Sequence, residues 1–202
     1  MNVPPTGQEA WRDAIEAHLR DGAAVRLAVI DSCLPVVVEA ATAIVRCLQA
    51  GGTVYFCGNG GSAADAQHLA AELVGRYLHD RKALAGVALT TDTSVLTAVG
   101  NDLGYATIFE RQVNALVRKG DVLIALSTSG HSENVIRAVT AAKNNQATVI
   151  GMTGSADSPV SAAAQIAIRI PSLLTPFIQE MHLAVGHAMC EVIEASLLHS
   201  HK

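Results

Sequence analysis

Five short apolar runs, Thr53–Cys57, Val87–Thr91, Asp121–Leu126, Thr148–Met152 and Ile166–Ile170, recur along the chain and alternate with segments of helical periodicity. Each run is rich in Val, Ile or Leu and closes near a Gly, Ser, Thr or Pro. Runs that are apolar throughout, rather than at every second position, describe strands buried on both faces. Strands of that kind, separated by helices, predict a parallel α/β sheet. The segments 63–78, 105–118, 132–144, 157–164 and 175–198 are the expected covering helices. Ahead of the first run, residues 8–50 hold apolar positions at helical spacing and no strand-like run. Pro35 predicts a break there, giving two helices over 8–29 and 33–50. The expected organisation is an N-terminal helical layer for oligomerisation, 1–50, and an α/β unit, 51–202, packed as one structural unit.

Composition narrows the class. Half of the residues are hydrophobic, only 3% are aromatic and 16% are charged, which excludes a disordered chain. A net charge of −4 excludes a strongly basic nucleic-acid footprint. The longest stretch free of charge, 47–64, is broken by glycines and does not read as a membrane span. The surplus of small apolar residues then predicts a subunit interface. Cys33, Cys47, Cys57 and Cys190 form no C-x-x-C pair and read as buried free thiols. The first residues lack the basic and apolar regions of a signal peptide, so a cytoplasmic address is expected.

Open parallel sheets bind ligands beyond the carboxyl ends of their strands, so the loops after each run carry the chemistry. Gly58-Asn59-Gly60-Gly61-Ser62 precedes a helix, and its glycines would let an anion approach the backbone at a helix N-terminus. It is equally readable as a plain strand-to-helix turn, and it matches neither a Walker loop nor a dinucleotide fingerprint. On the next helix His68 and Glu72 stand four residues apart on one face. That pair suits a shared metal ion, a division of acid and base duties, or an exposed ion pair. Ser127-Thr128-Ser129-Gly130-His131-Ser132 puts four hydroxyls and a glycine before another helix, more donors than capping needs, and reads as an anion nest. The last helix carries Gln179, Glu180, His182 and His187, with His187 among apolar neighbours and readable as a core histidine or a ligand. Two further positions stand out: Asn101-Asp102, readable equally as part of the site or as a turn, and Arg76, on the exit of the His68 helix.

The runs CGNGGSAADAQHLAAEL, LTTDTSVLTAVGND, GDVLIALSTSGHSENV and IQEMHLAVGH, in this order, resemble the phosphoheptose isomerases of the SIS (sugar isomerase) superfamily over residues 10 to 198. The resemblance implies a flavodoxin-like five-stranded sheet. It implies interconversion of sedoheptulose 7-phosphate and D-glycero-D-manno-heptose 7-phosphate, the first step toward the heptose of lipopolysaccharide. Carried over by position, Asn59, Gly60, Gly61, Ser62, Arg76, Asn101 and Asp102 would face the substrate, and Ser127, Thr128, Ser129 and Ser132 would cradle its phosphate. His68, Glu72, Gln179 and His187 would bind one zinc ion per subunit. Glu72 and His187 would be the acid–base pair, with Glu72 and Gln179 also touching substrate. A homotetramer with active sites at subunit contacts is implied too.

Two positions depart from the family pattern: His131 replaces an Asn, and Phe177 stands where an Arg is usual. Gln179 and His187 are also separated by about 12 Å of helical rise, which makes His182 the nearer partner for Gln179. The resemblance extends to two other kinds of SIS protein. One is a non-catalytic relative that binds the replication initiator and lacks the Glu and the last His that this chain keeps. The other is a sugar-phosphate sensor fused to a DNA-binding domain, and no such domain is expected here.

Overall fold

Pro35 does not break the first helix. In the computed structural model, which describes residues 7–198, α1 runs from Gln8 to Gln49 with Pro35 inside it. Both Pro35 and Asp31, whose carbonyl Pro35 cannot satisfy, are exposed, so water can take the lost hydrogen bond. Packing holds the helix on both sides of the proline. Val29, Cys33, Val37 and Ala40 are buried along one face. Cys33 Sγ donates to the carbonyl of Arg169 at 3.1 Å.

The five strands are β1 (Val54–Cys57), β2 (Gly86–Ala88), β3 (Val122–Leu126), β4 (Thr148–Thr153) and β5 (Ile166–Arg169). They lie in the order β2-β1-β3-β4-β5 and every pairing is parallel. Alternate residues serve different cores. Val54, Phe56, Val122, Ile124, Leu126, Ile150 and Met152 pack with α1, with α2 (Gly61–Val74) and with α7 (Thr175–Leu198). Tyr55, Cys57, Leu123, Ala125 and Val149 pack on the other face, against α4 (Ile108–Leu116), α5 (Glu133–Asn144) and α6 (Pro159–Ala163). This double burial is why the strands read as continuous apolar runs. The second run is shorter than expected: Leu89 still donates to Phe56 O, but the chain then turns away through Thr90 and Thr91.

One helix was not expected. α3 spans Thr93–Leu103, opened by Asp92, whose side chain accepts from Val95 N at 2.9 Å. None of its residues is fully buried; its apolar stripe is short, with Leu96 and Val99 only partly covered against the core. Asn101 and Asp102 therefore lie in its last turn and not in a loop turn.

Among the described residues α1 alone is long and apolar enough to cross a membrane, by length and composition. That is weak evidence of a span, because α1 is built into the domain core through eight buried residues. Its other side exposes Ile15, Leu19, Leu27, Ile30, Leu34 and Val38 at helical spacing.

Candidate active site

The loop after β1 enters α2 through Gly60, at φ 55°. Gln179, in the first turns of α7, lies against Gly61. From there the two helices run side by side. At their crossing Gly186 faces Leu69, and a Cβ on Gly186 would stand 2.5 Å from Leu69 Cδ2. Only a glycine permits this approach. One residue away on each helix, His68 Nε2 meets His187 Nε2 at 2.8 Å. His68 Nε2 also lies 3.3 Å from Glu72 Oε1. Thus His187 is not a core histidine. It completes a group with His68 and Glu72 whose ligand atoms all lie within 4.8 Å of one another. Two imidazole nitrogens and a carboxylate oxygen are a donor set that suits zinc.

His182, the rival to His187 that helical rise offered, takes no part in this group. It is fully buried, with Nε2 3.4 Å from Thr153 O at the end of β4 and Nδ1 without a hydrogen-bond partner. Burial lowers its pKa to about 4, so the imidazole is neutral.

The hydroxyl-rich loop after β3 folds on itself. Gly130 N donates to Ser127 Oγ at 3.1 Å, and His131 N to Ser129 Oγ at 3.2 Å. Gly130 has φ 68°, and a Cβ there would collide with Ser158. Ser132 is the N-cap of α5, yet its side chain makes no capping bond. Its hydroxyl accepts instead from Ser127 Oγ at 3.4 Å. The hydroxyls are thus gathered at a helix N-terminus without being spent on it, as an anion site requires. His131, the first departure, turns Nδ1 to Ser129 O at 2.7 Å and is exposed. Phe177, the second, is buried and stacks on His18 of α1 with ring centroids 4.7 Å apart.

Three expected substrate contacts stand differently from a free donor. Asn59 exchanges two hydrogen bonds of 2.8 Å with Asn134, so its amide ties the β1 loop to α5. Asn101 Nδ2 donates to Asp102 Oδ1 at 2.7 Å. Arg76 is exposed beyond the end of α2.

Sequence reasoning missed several residues of this region. Tyr77 packs on the His187 ring at 5.7 Å, and Asn134 is buried between two loops. Asp65, one turn before His68, keeps Oδ2 buried without a partner, and burial raises its pKa. The buried Arg81–Glu194 ion pair closes the far end of α2. The position of Tyr77 immediately after Arg76 was the one available signal. The others depend on tertiary contacts between distant segments.

A parallel sheet covered on both faces, a hydroxyl-rich loop after its central strand and a His/Glu/His group on flanking helices fit a SIS-domain protein, and the SIS domain family model matches residues 19–154. The phosphoheptose isomerase of Rhodospirillum rubrum is 56% identical over 168 residues, covering 83% of this chain and 89% of that relative. That of Roseiflexus sp. is 43% identical over 198 residues, 98% of each chain. Among solved structures, phosphoheptose isomerase from Neisseria gonorrhoeae has TM-score 0.87 at 42% identity, covering 92% of this chain and 99% of that one. The chain belongs to the phosphoheptose isomerase family, as the four sequence runs implied. It is an enzyme, an aldose–ketose isomerase of sugar phosphates, and the reading as a non-catalytic binding protein is not favoured.

Proposed function

We propose that this enzyme interconverts sedoheptulose 7-phosphate and D-glycero-D-manno-heptose 7-phosphate, feeding lipopolysaccharide heptose synthesis in the cytoplasm. The observation that carries the reading is the His68–Glu72–His187 group on α2 and α7 in a chain that also gathers free hydroxyls in the Ser127–Ser132 loop at the N-terminus of α5. The nest takes the phosphate through Ser127, Thr128, Ser129 and Ser132 and the N-terminus of α5. Asn59, Gly60, Gly61, Ser62 and Gln179 line the sugar at the entrance to α2. Asn101 and Asp102 do so from α3, and Arg76 from beyond the exit of α2.

Moving a carbonyl between adjacent carbons requires one proton to shift between C1 and C2 and another between their oxygens, through an enediol. Glu72 carries the carbon-bound proton away and returns it to the neighbouring carbon. His187 carries the proton between the two oxygens. His68 lies beside His187, with their Nε2 atoms 2.8 Å apart. His68, Glu72, Gln179 and His187 would hold one zinc ion per subunit. When bound, the ion would supply Lewis-acid stabilisation of the charge that develops on oxygen. A carboxylate committed to a metal is a weaker base, so the division of Glu72 between those duties is part of the proposal. The exposed apolar stripe of α1 supports a homotetramer with the sites at subunit contacts.

The test is turnover of sedoheptulose 7-phosphate, followed by appearance of the aldose. Wild type is expected to make it. His187→Ala is expected to stay folded, bind the sugar phosphate and make none. A wild type that leaves the ketose unchanged overturns the substrate reading, and full turnover by His187→Ala removes His187 from the mechanism. Chelation should release about one zinc per subunit with loss of rate. An undiminished rate in a metal-free preparation removes the metal from the chemistry.

A further inference from the structure

The most completely satisfied charged pair among the described residues lies outside the acid–base group. Arg81 and Glu194 have side chains only 6% and 2% exposed, with Arg81 Nε 3.0 Å from Glu194 Oε1. The carboxylate also accepts three consecutive backbone N–H groups: Tyr77 on Oε1 at 3.0 Å, and Leu78 and His79 on Oε2 at 2.8 and 2.9 Å. Burial opposes its ionisation, but those N–H groups and the Arg81 charge outweigh it and hold the pKa below its usual value. The guanidinium in turn donates to Leu73 O and Lys82 O, each at 2.9 Å, and to Glu72 O at 2.7 Å.

Two of these bonds bear on the acid–base group. Glu72 and Leu73 belong to the last turn of α2, where carbonyls lack helical partners and a cation is favoured. Arg81 therefore fixes the main chain of Glu72 itself. Glu194 fixes the main chain of Tyr77, whose ring packs on His187 at 5.7 Å. Glu194 also lies on the same face of α7 as His187, two turns further on. One ion pair thus spans the helix that carries Glu72, the helix that carries His187 and the segment between them. Buried ion pairs return little net stability compared with an apolar pair of similar size. This one has a second use.

We propose that Arg81 and Glu194 are positioning residues, which set the separation of Glu72 and His187 without touching substrate. The proposal rests on the isomerase reading above. Misplacing a reacting group by about 1 Å costs on the order of a hundredfold in rate. Substrate affinity resides in the loops and should not follow.

The experiment compares wild type with Arg81→Lys and Glu194→Gln on sedoheptulose 7-phosphate, with circular dichroism and thermal melting as controls. Lysine keeps the charge but cannot bond Glu194 and the carbonyls of Glu72 and Leu73 at once. Folded variants are expected to lose roughly tenfold to a hundredfold in kcat, with KM within about threefold of wild type. A folded variant with kcat within about twofold of wild type, or one whose KM rises as kcat falls, overturns the proposal. Should both variants fail to fold, Tyr77→Leu decides, because it leaves the ion pair whole. A lowered kcat at constant KM supports the Tyr77 limb, and an unchanged kcat overturns it. The second readout needs no turnover. With the rings 5.7 Å apart, the His187 ring protons should carry a ring-current shift from Tyr77; NMR is expected to find it changed in Arg81→Lys. An unchanged shift sinks the positioning role, whereas absent wild-type turnover sinks only the substrate reading.

Discussion

Asn59 and Asn134 hold the loop after β1 to the first turn of α5 by a reciprocal pair of amide hydrogen bonds, each 2.8 Å long. Asn134 is buried and its Oδ1 also accepts from Val135 N at 3.0 Å. Asn59 Oδ1 accepts as well from Tyr105 OH at 3.0 Å. The pair therefore fixes the spacing between the two loops that would grip the two ends of a sugar phosphate. Asn134→Asp can still accept from Asn59 Nδ2 but can no longer donate to Asn59 Oδ1. It should cost about 1–3 kcal/mol in denaturant unfolding and raise KM more than it lowers kcat. An unchanged KM would show that the loops keep their spacing without the pair.

The buried His182 predicts an acid-sensitive fold. Its pKa falls from an ordinary 6.5 to about 4, chiefly through burial, with the Thr153 carbonyl pulling weakly the other way. Between those two values the unfolded chain binds a proton that the folded chain refuses, so stability rises with pH across that window. Lowering the pH from 6.5 to 4 should remove on the order of 3 kcal/mol at this site. Denaturant midpoints measured at the two ends should differ less in His182→Gln than in wild type. Equal slopes for the two proteins would assign the acid sensitivity to other groups.

Gly186→Ala tests the helix crossing. The methyl group gains helix propensity, roughly 1 kcal/mol, but drives into the buried Leu69, and overpacking costs about 1–3 kcal/mol. The crossing should widen and carry His187 away from His68, so activity should fall further than the melting temperature. Activity and melting temperature both at wild-type level would mean that Leu69 moves aside freely.

The four cysteines should be unreactive in the folded protein. All are buried, and burial is the leading cause that pushes Cys47 up to about 11 and Cys57 and Cys190 to about 12. Because the thiolate is the reactive form, a disulfide reagent at pH near 8 should titrate them only after denaturant is added. Rapid modification of any one in the native state would contradict this arrangement.

The strands were readable in the sequence because each is buried on both faces, which leaves an apolar run with nothing polar to interrupt it. The α3 helix was passed over because its periodic stripe is short: Val95, Leu96, Val99 and Leu103 alternate with Thr, Ala, Gly and Asn, and none is fully buried. Pro35 misled because proline's cost in a helix depends on whether water can reach the stranded carbonyl, which is a property of the folded surface. At the site, the spacing of His68 and Glu72 put them on one helix face, but left open whether they form a metal site, an acid–base pair or an ion pair. The choice of His187 over His182 turned on which face of α7 meets α2, and Gly186 at the crossing decides that. Asn134, Tyr77 and Arg81 were missed because their partners lie up to 117 residues away along the chain.

The trio of His68, Glu72 and His187 joins residues from the first βα unit to one on the final helix. A nascent chain whose synthesis has stopped anywhere short of residue 187 lacks the third member, whatever part of the sheet has already formed. Proteolytic cleavage within α7 ahead of His187 would likewise detach the third member. Under the acid–base roles proposed above, activity would accordingly wait on the docking of the last helix.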